Sequence, residues 1–125
     1  MATIKAFSDL QQSKKLAKIL PLESADMHYC LEKRDVATGY EIGIVPFIQA
    51  KRFKGKCNIV DVRPAWSLAA LLGVLPEGYS FVLTKSFDGE DYYCKLDGKP
   101  IETMADNPVD ACVNMIIKLS ELKML

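Results

Sequence analysis

Several things are scarce in this chain, and each scarcity excludes a class of protein. No apolar run can cross a bilayer. The longest, Leu68 to Leu75, covers eight residues against the ~20 a spanning helix needs. Met1 to Phe7 turns polar too early for a secretory signal. The 125 residues carry one histidine, His28, so every histidine-based general base or Cys–His pair has to use it. The four cysteines, Cys30, Cys57, Cys94 and Cys112, have none of the close spacing of zinc ligands, and no metal site is expected. They read as reduced, buried thiols of a cytoplasmic protein. The seven glycines are dispersed, so neither a P-loop nor a dinucleotide fingerprint is present, and no cofactor is expected. Net charge is absent too: sixteen basic residues balance sixteen acidic ones. No global field draws nucleic acid or an acidic membrane, and weak mutual repulsion permits a monomer or a weak homo-oligomer.

What is present describes one domain over residues 1–125, with ordinary globular composition. The stretch from Pro64 to Pro76 stands out. It holds the only tryptophan, Trp66, with Ser67 as helix N-cap and Leu71 at the staple position, then a helix with no polar side chain. A helix apolar on every side is expected to be enclosed. Gly73 inside it is expected to mark the close approach of another backbone, since glycine otherwise costs about 1 kcal/mol there.

An earlier helix follows a capping box at Ser8 and Gln11, with Leu10, Leu16, Ala17 and Leu20 on one face and Gln11, Lys14, Lys15 and Lys18 on the other. Pro21 stops it. Strands are expected over Met27 to Lys33 and Tyr40 to Val45, and a short third over Cys57 to Val62, before Pro64. Asp88-Gly89 and Asp97-Gly98 predict two hairpins with two-residue turns. The first sets Lys85 against Tyr92, Leu83 against Cys94 and Phe81 against Leu96, with Phe87 on the same apolar face. The second sets Cys94 against Ile101. Asn107 as N-cap, Pro108 and Asp110 open a last, mostly buried helix. The order α-ββ-α-βββ-α predicts an α+β fold whose C-terminal meander packs against helices. Helix, Leu-Pro stop and hairpin occur twice, which raises an internal repeat as one reading.

Binding chemistry concentrates in one segment. Lys51, Arg52, Lys54 and Lys56 surround Phe53, so four cations could hold phosphates while the ring stacks on a base. The competing reading is a solvated loop with Phe53 turned inward. Neighbouring carboxylates such as Glu23 and Asp26 fall at turns, and sequence adjacency does not hold two acids across a cleft. The aromatics of the meander could form a stacking platform, but the hairpin register places most of them beneath a helix. Structural anchors are expected at Trp66, Ser67, Gly73, Gly89, Gly98 and Asn107. No convergent catalytic set emerges.

Three segments, Phe7 to Pro21, Trp66 to Pro76 and Ala105 to Cys112, together resemble a family of small uncharacterised proteins of gut anaerobes, often in phage-derived or other mobile elements. That resemblance implies no established activity. It implies a cysteine just before the tryptophan in many relatives, where this chain has Ala65, and so argues further against a nucleophile. A non-enzymatic protein-interaction module, with a protein partner, is the leading expectation. A nucleic-acid-associated protein using residues 51–56 is the alternative, and a small Cys/His enzyme the third.

Overall fold

The computed structural model describes residues 5–33, 40–46 and 59–125, the side chains of 30–62 excepted. Helix α1 (Leu10–Leu16) leads through a short 3-10 turn (Leu22–Ser24) into three strands, β1 (Met27–Lys33), β2 (Tyr40–Pro46) and β3 (Ile59–Ala65). Helix α2 (Leu68–Gly73) follows, then β4 (Phe81–Lys85), β5 (Tyr92–Leu96), β6 (Ile101–Ala105) and the long helix α3 (Pro108–Glu121). Both sheets are antiparallel, and the architecture is α+β as expected.

The expected third strand exists, but it runs through Pro64 to Ala65 instead of stopping before them. The order of elements is therefore α-βββ-α-βββ-α. Proline is tolerated because β3 is an edge strand, in the order β2-β1-β3, and needs to donate on one side only. Two helix-plus-three-strand units invite the repeat reading, yet their topologies differ. In the first sheet the first strand is central; in the second, ordered β4-β5-β6, the middle strand is. The likeness stops at element order.

Helix α1 begins one residue later than its capping box suggests. Asp9, not Ser8, is the N-cap: Gln12 N–H donates to Asp9 Oδ1 (2.8 Å) and Asp9 N–H to Gln12 Oε1 (3.0 Å). Ser8 is fully buried and spends its hydroxyl elsewhere, against Ser13 Oγ (2.8 Å) and the Trp66 backbone N–H (3.0 Å).

The second sheet follows the hairpin logic with two amendments. Lys85↔Tyr92, Leu83↔Cys94 and Phe81↔Leu96 pair as expected. However, Ser86 N–H donates to Asp91 O (2.8 Å) and Gly89 N–H to Ser86 O (3.0 Å), so residues 87–90 form the loop and Phe87 is fully exposed. A hydrogen bond closing a wider loop overrides the two-residue turn without altering register. At the second turn Leu96 pairs with Ile101 and Cys94 with Thr103, two residues from the expected register. A two-residue turn would have put Pro100, which has no N–H, into the ladder opposite Lys95. The wider loop keeps it out, and a shift of two preserves the inward face. Gly89 (φ +78°) and Gly98 (φ +77°) both hold the left-handed conformation their turns require.

Helix α3 is capped as its sequence predicts. Asp110 N–H donates to Asn107 Oδ1 (2.8 Å), with Pro108 at N1. It carries most of the core. Val109, Ala111, Cys112, Met115, Ile116 and Leu119 are wholly inaccessible, joined by Leu16, Trp66, Leu71 and Cys94.

Helix α2 departs from expectation. Ser67 caps it (Ala70 N–H to Ser67 Oγ, 3.2 Å), but only Leu71 is buried, while Ala69, Leu72 and Gly73 face outward. The helix lies on α3 along one side and is not enclosed. Nor does Gly73 admit a neighbouring backbone: a Cβ placed there meets nothing within 4 Å. Six residues of helix end here, and the glycine costs little at the last of them.

Candidate functional site

Trp66 joins the N-terminal segment, the 3-10 turn and the core. Its ring is wholly enclosed, and its indole N–H donates to Ser24 Oγ (2.9 Å). Its carbonyl accepts from Ser8 N–H (2.8 Å), and the next residue, Ser67, bridges to Phe7 in a two-residue β-pair. Asp26 accepts from both the backbone N–H and the hydroxyl of Ser67. Together these bonds tie α1 to the end of β3. Tyr29 reinforces them through its hydroxyl, which donates to Ser8 O (2.8 Å), and through an edge-on contact with Phe7 at 6.1 Å.

Holding α1 beside β3 opens a cleft of about 400 Å³. Leu10, Ala17 and Pro64 supply its apolar floor, Ser13 contributes beside them, and Lys14, Lys18 and Arg63 supply its charge. Among the described residues no carboxylate lines it. Lys14 on α1 and Lys18 in the turn that follows it are both exposed. Neither ammonium makes a hydrogen bond or ion pair with the described residues. Arg63 extends from the edge strand, also exposed. In a chain of zero net charge, three cations over apolar carbon, with no acid among the described lining residues, make a local anion-selective surface.

The N-cap of α1 shows the opposite arrangement, with its charges engaged. Lys5 Nζ bonds Asp9 Oδ2 (3.0 Å), Gln12 Oε1 (2.8 Å) and Asp110 Oδ1 (2.9 Å). Gln12 Nε2 and Asn107 Nδ2 also donate to Asp110. Partial burial acts to raise the Asp110 carboxyl, but the bonds from Lys5, Gln12 and Asn107 outweigh it and hold the group below the usual range. Burial likewise works to lower Lys5, and the two carboxylates overcome it and raise the ammonium. This network braces the N-termini of α1 and α3, where carboxylates also suit the helix dipoles.

The two described thiols, Cys94 and Cys112, belong to elements other than the strand that carries the histidine. Cys94 on β5 and Cys112 on α3 are fully buried, and the two side chains are hydrogen-bonded to each other. That bond, with burial added, pushes the Cys112 thiol well above the usual range, the opposite of an activated nucleophile. His28 belongs to β1 of the other sheet; burial lowers its imidazole, against the pull of the Asp26 carboxylate. Among the described residues no three metal-ligating side chains cluster, and no helix is long and apolar enough to cross a membrane. Lys51, Arg52, Phe53, Lys54 and Lys56 lie outside the described residues. Lys14 and Lys18 read in the sequence only as the polar face of α1, and Arg63 lies just past the expected third strand. A signal was there: after Asp9, helix α1 carries lysines and no acid.

Comparison with family models, with curated proteins and with solved structures found no match.

Proposed function

We propose that the chain is a non-enzymatic, cytoplasmic protein-interaction module whose α1–β3 cleft receives an acidic segment of a partner protein. One observation carries the reading: Lys14, Lys18 and Arg63 surround the apolar floor of Leu10, Ala17 and Pro64, with no carboxylate lining it among the described residues. An extended or helical segment with one apolar side chain flanked by Asp or Glu matches both features. The apolar group displaces water from the floor, and the carboxylates meet the cations at the rim. A nucleic acid would match the charges and leave the floor unused, because among the described residues no aromatic ring lines the cleft for a base to stack on.

The test is fluorescence anisotropy with a short labelled peptide of alternating leucine and aspartate. Binding in the micromolar range, weakened by added salt, is expected. Reversing Lys14, Lys18 and Arg63 together to glutamate should weaken it by about a hundredfold or more, while leaving the melting temperature nearly unchanged, since exposed charges contribute little to folding. Leu10→Asn should weaken it at unchanged cleft charge. Equal affinity for wild type and the triple variant would overturn the reading, as would tighter binding of a duplex DNA of matched charge.

A further inference from the structure

The hydrogen bonds that close the second sheet show what its outer edge presents. Ser86 N–H donates to Asp91 O, and Asp97 N–H donates to Ser80 O, both at 2.8 Å. In an antiparallel ladder the backbone groups of successive residues point alternately to the two sides. Ser80, Val82, Thr84 and Ser86 therefore aim their N–H and C=O groups at β5, and Phe81, Leu83 and Lys85 aim theirs away from it. Among the described residues β5 is the one strand that pairs with β4. Helix α3 packs across β5 and β6 and leaves β4 at the margin. The usual protections of an edge are missing from it: Phe-Val-Leu-Thr-Lys has no proline and no bulge, and its single charge is at the end.

From this geometry we infer that β4 pairs with β4 of a second copy of this chain, about a twofold axis through Leu83. The strand is self-complementary in that arrangement. Leu83 meets Leu83 of the partner subunit, and Phe81 meets Lys85 of the partner subunit at either end. All three pairs fall on the residues whose backbone groups face outward, giving about six new main-chain bonds. Val82, 44% exposed, sits opposite Thr84 of the partner subunit on the open face. Each Lys85 ammonium comes beside a Phe81 ring, a contact of the kind it already makes with Tyr92, 5.9 Å from that ring's centroid. The two like charges stay about 13 Å apart along the strands, beyond the physiological screening length. The product is a continuous six-stranded sheet, and an isologous interface of this kind closes and does not propagate.

Sedimentation velocity on the full chain over a micromolar to millimolar series tests it. The expected result is a reversible monomer–dimer equilibrium starting from the 13.9 kDa chain. Lys85→Pro removes an outward N–H that β5 does not use, so proline is compatible with the fold there. It should weaken dimerisation at least tenfold with far-UV circular dichroism unchanged. Val82→Lys, a substitution on the exposed face, should do the same by placing a charge opposite Thr84 of the partner subunit, and serves if the proline variant fails to fold. Reversing Lys14, Lys18 and Arg63 should leave the dimer intact, which separates this surface from the cleft. A monomer throughout the series, or a dimer insensitive to both β4 substitutions, would overturn the inference. So would a monomer that adds only strands of other sequence to this edge.

Discussion

Replacing Trp66 with alanine removes a side chain at 0% exposure and leaves its backbone bonds to Ser8 in place. The loss therefore reports on the ring. Truncating a buried tryptophan costs about 3–5 kcal/mol in transfer and cavity energy. Ser24 Oγ loses its indole donor, which adds about 1 kcal/mol. The sum, about 4–6 kcal/mol, is a large share of the 5–15 kcal/mol typical of a domain. Urea denaturation followed by far-UV circular dichroism measures it without relying on the lost fluorophore. With a slope of about 2 kcal/mol per molar urea, the midpoint should fall by about 2–3 M. Trp66→Phe keeps most of the buried area and should cost about 1–2 kcal/mol, mainly the hydrogen bond and the smaller ring. A midpoint shift below about 0.5 M for the alanine variant would refute Trp66 as the joint between α1, the 3-10 turn and α3.

Two glycines should respond with opposite signs: Gly73→Ala should raise the melting temperature slightly, worth a few tenths of a kcal/mol at this last helical position, because its Cβ meets open space. Gly89→Ala should lower it by about 1–2 kcal/mol, because φ is +78°. Equal signs in a thermal scan would contradict the turn geometry. Asp110→Asn tests the brace. A carboxyl held below its usual value stabilises the fold above its unfolded pKa, near 3.8, and loses that effect as pH falls through the folded value. The raised Lys5 acts in the other direction, losing its effect only as pH rises above about 10.5. The variant should therefore be about 1 kcal/mol less stable from pH 5 to 9, discounted for partial exposure, and the gap should close as pH falls below 3.8 and through the folded value. A gap that persists in acid would rule out the ion pair as its source. In a Cys30→Ser, Cys57→Ser background, a water-soluble thiol reagent should modify Cys94 and Cys112 only on unfolding, since both are fully buried. Fast reaction in the native state would contradict their packing.

Local chemistry was the legible part of the fold. Asn107-Pro108, Ser67 and the alternation from Phe81 to Leu96 each carry a signal spanning a few residues, and each led to the element observed. Errors arose where a tertiary partner decided between local options. Ser8 and Asp9 are both competent caps, and Trp66 claims the first from 58 residues away. A hydrophobic α2 implies enclosure by pattern alone, but a six-residue helix on the flank of α3 has too little surrounding it to bury every side. Loop length at Asp97-Gly98 was settled by Pro100, whose missing N–H bears on the ladder more than the favoured dipeptide does. The cleft was illegible for a different reason. Lys14, Lys18 and Arg63 are separated by a sheet's worth of sequence, and no periodicity links a helix face to the edge strand it comes to lie beside. His28 and the cysteines attracted attention through rarity, whereas Cys94 and Cys112 are spent on each other in the core.

The central claim is that the α1–β3 cleft is the binding surface. Amide chemical-shift mapping on isotopically labelled protein, titrated with the leucine–aspartate peptide, addresses it residue by residue. The account predicts saturable shifts confined to residues 10–18 and to Arg63 and its neighbours, absent in the variant with Lys14, Lys18 and Arg63 reversed. Shifts centred on another surface, or none at millimolar peptide, would contradict it.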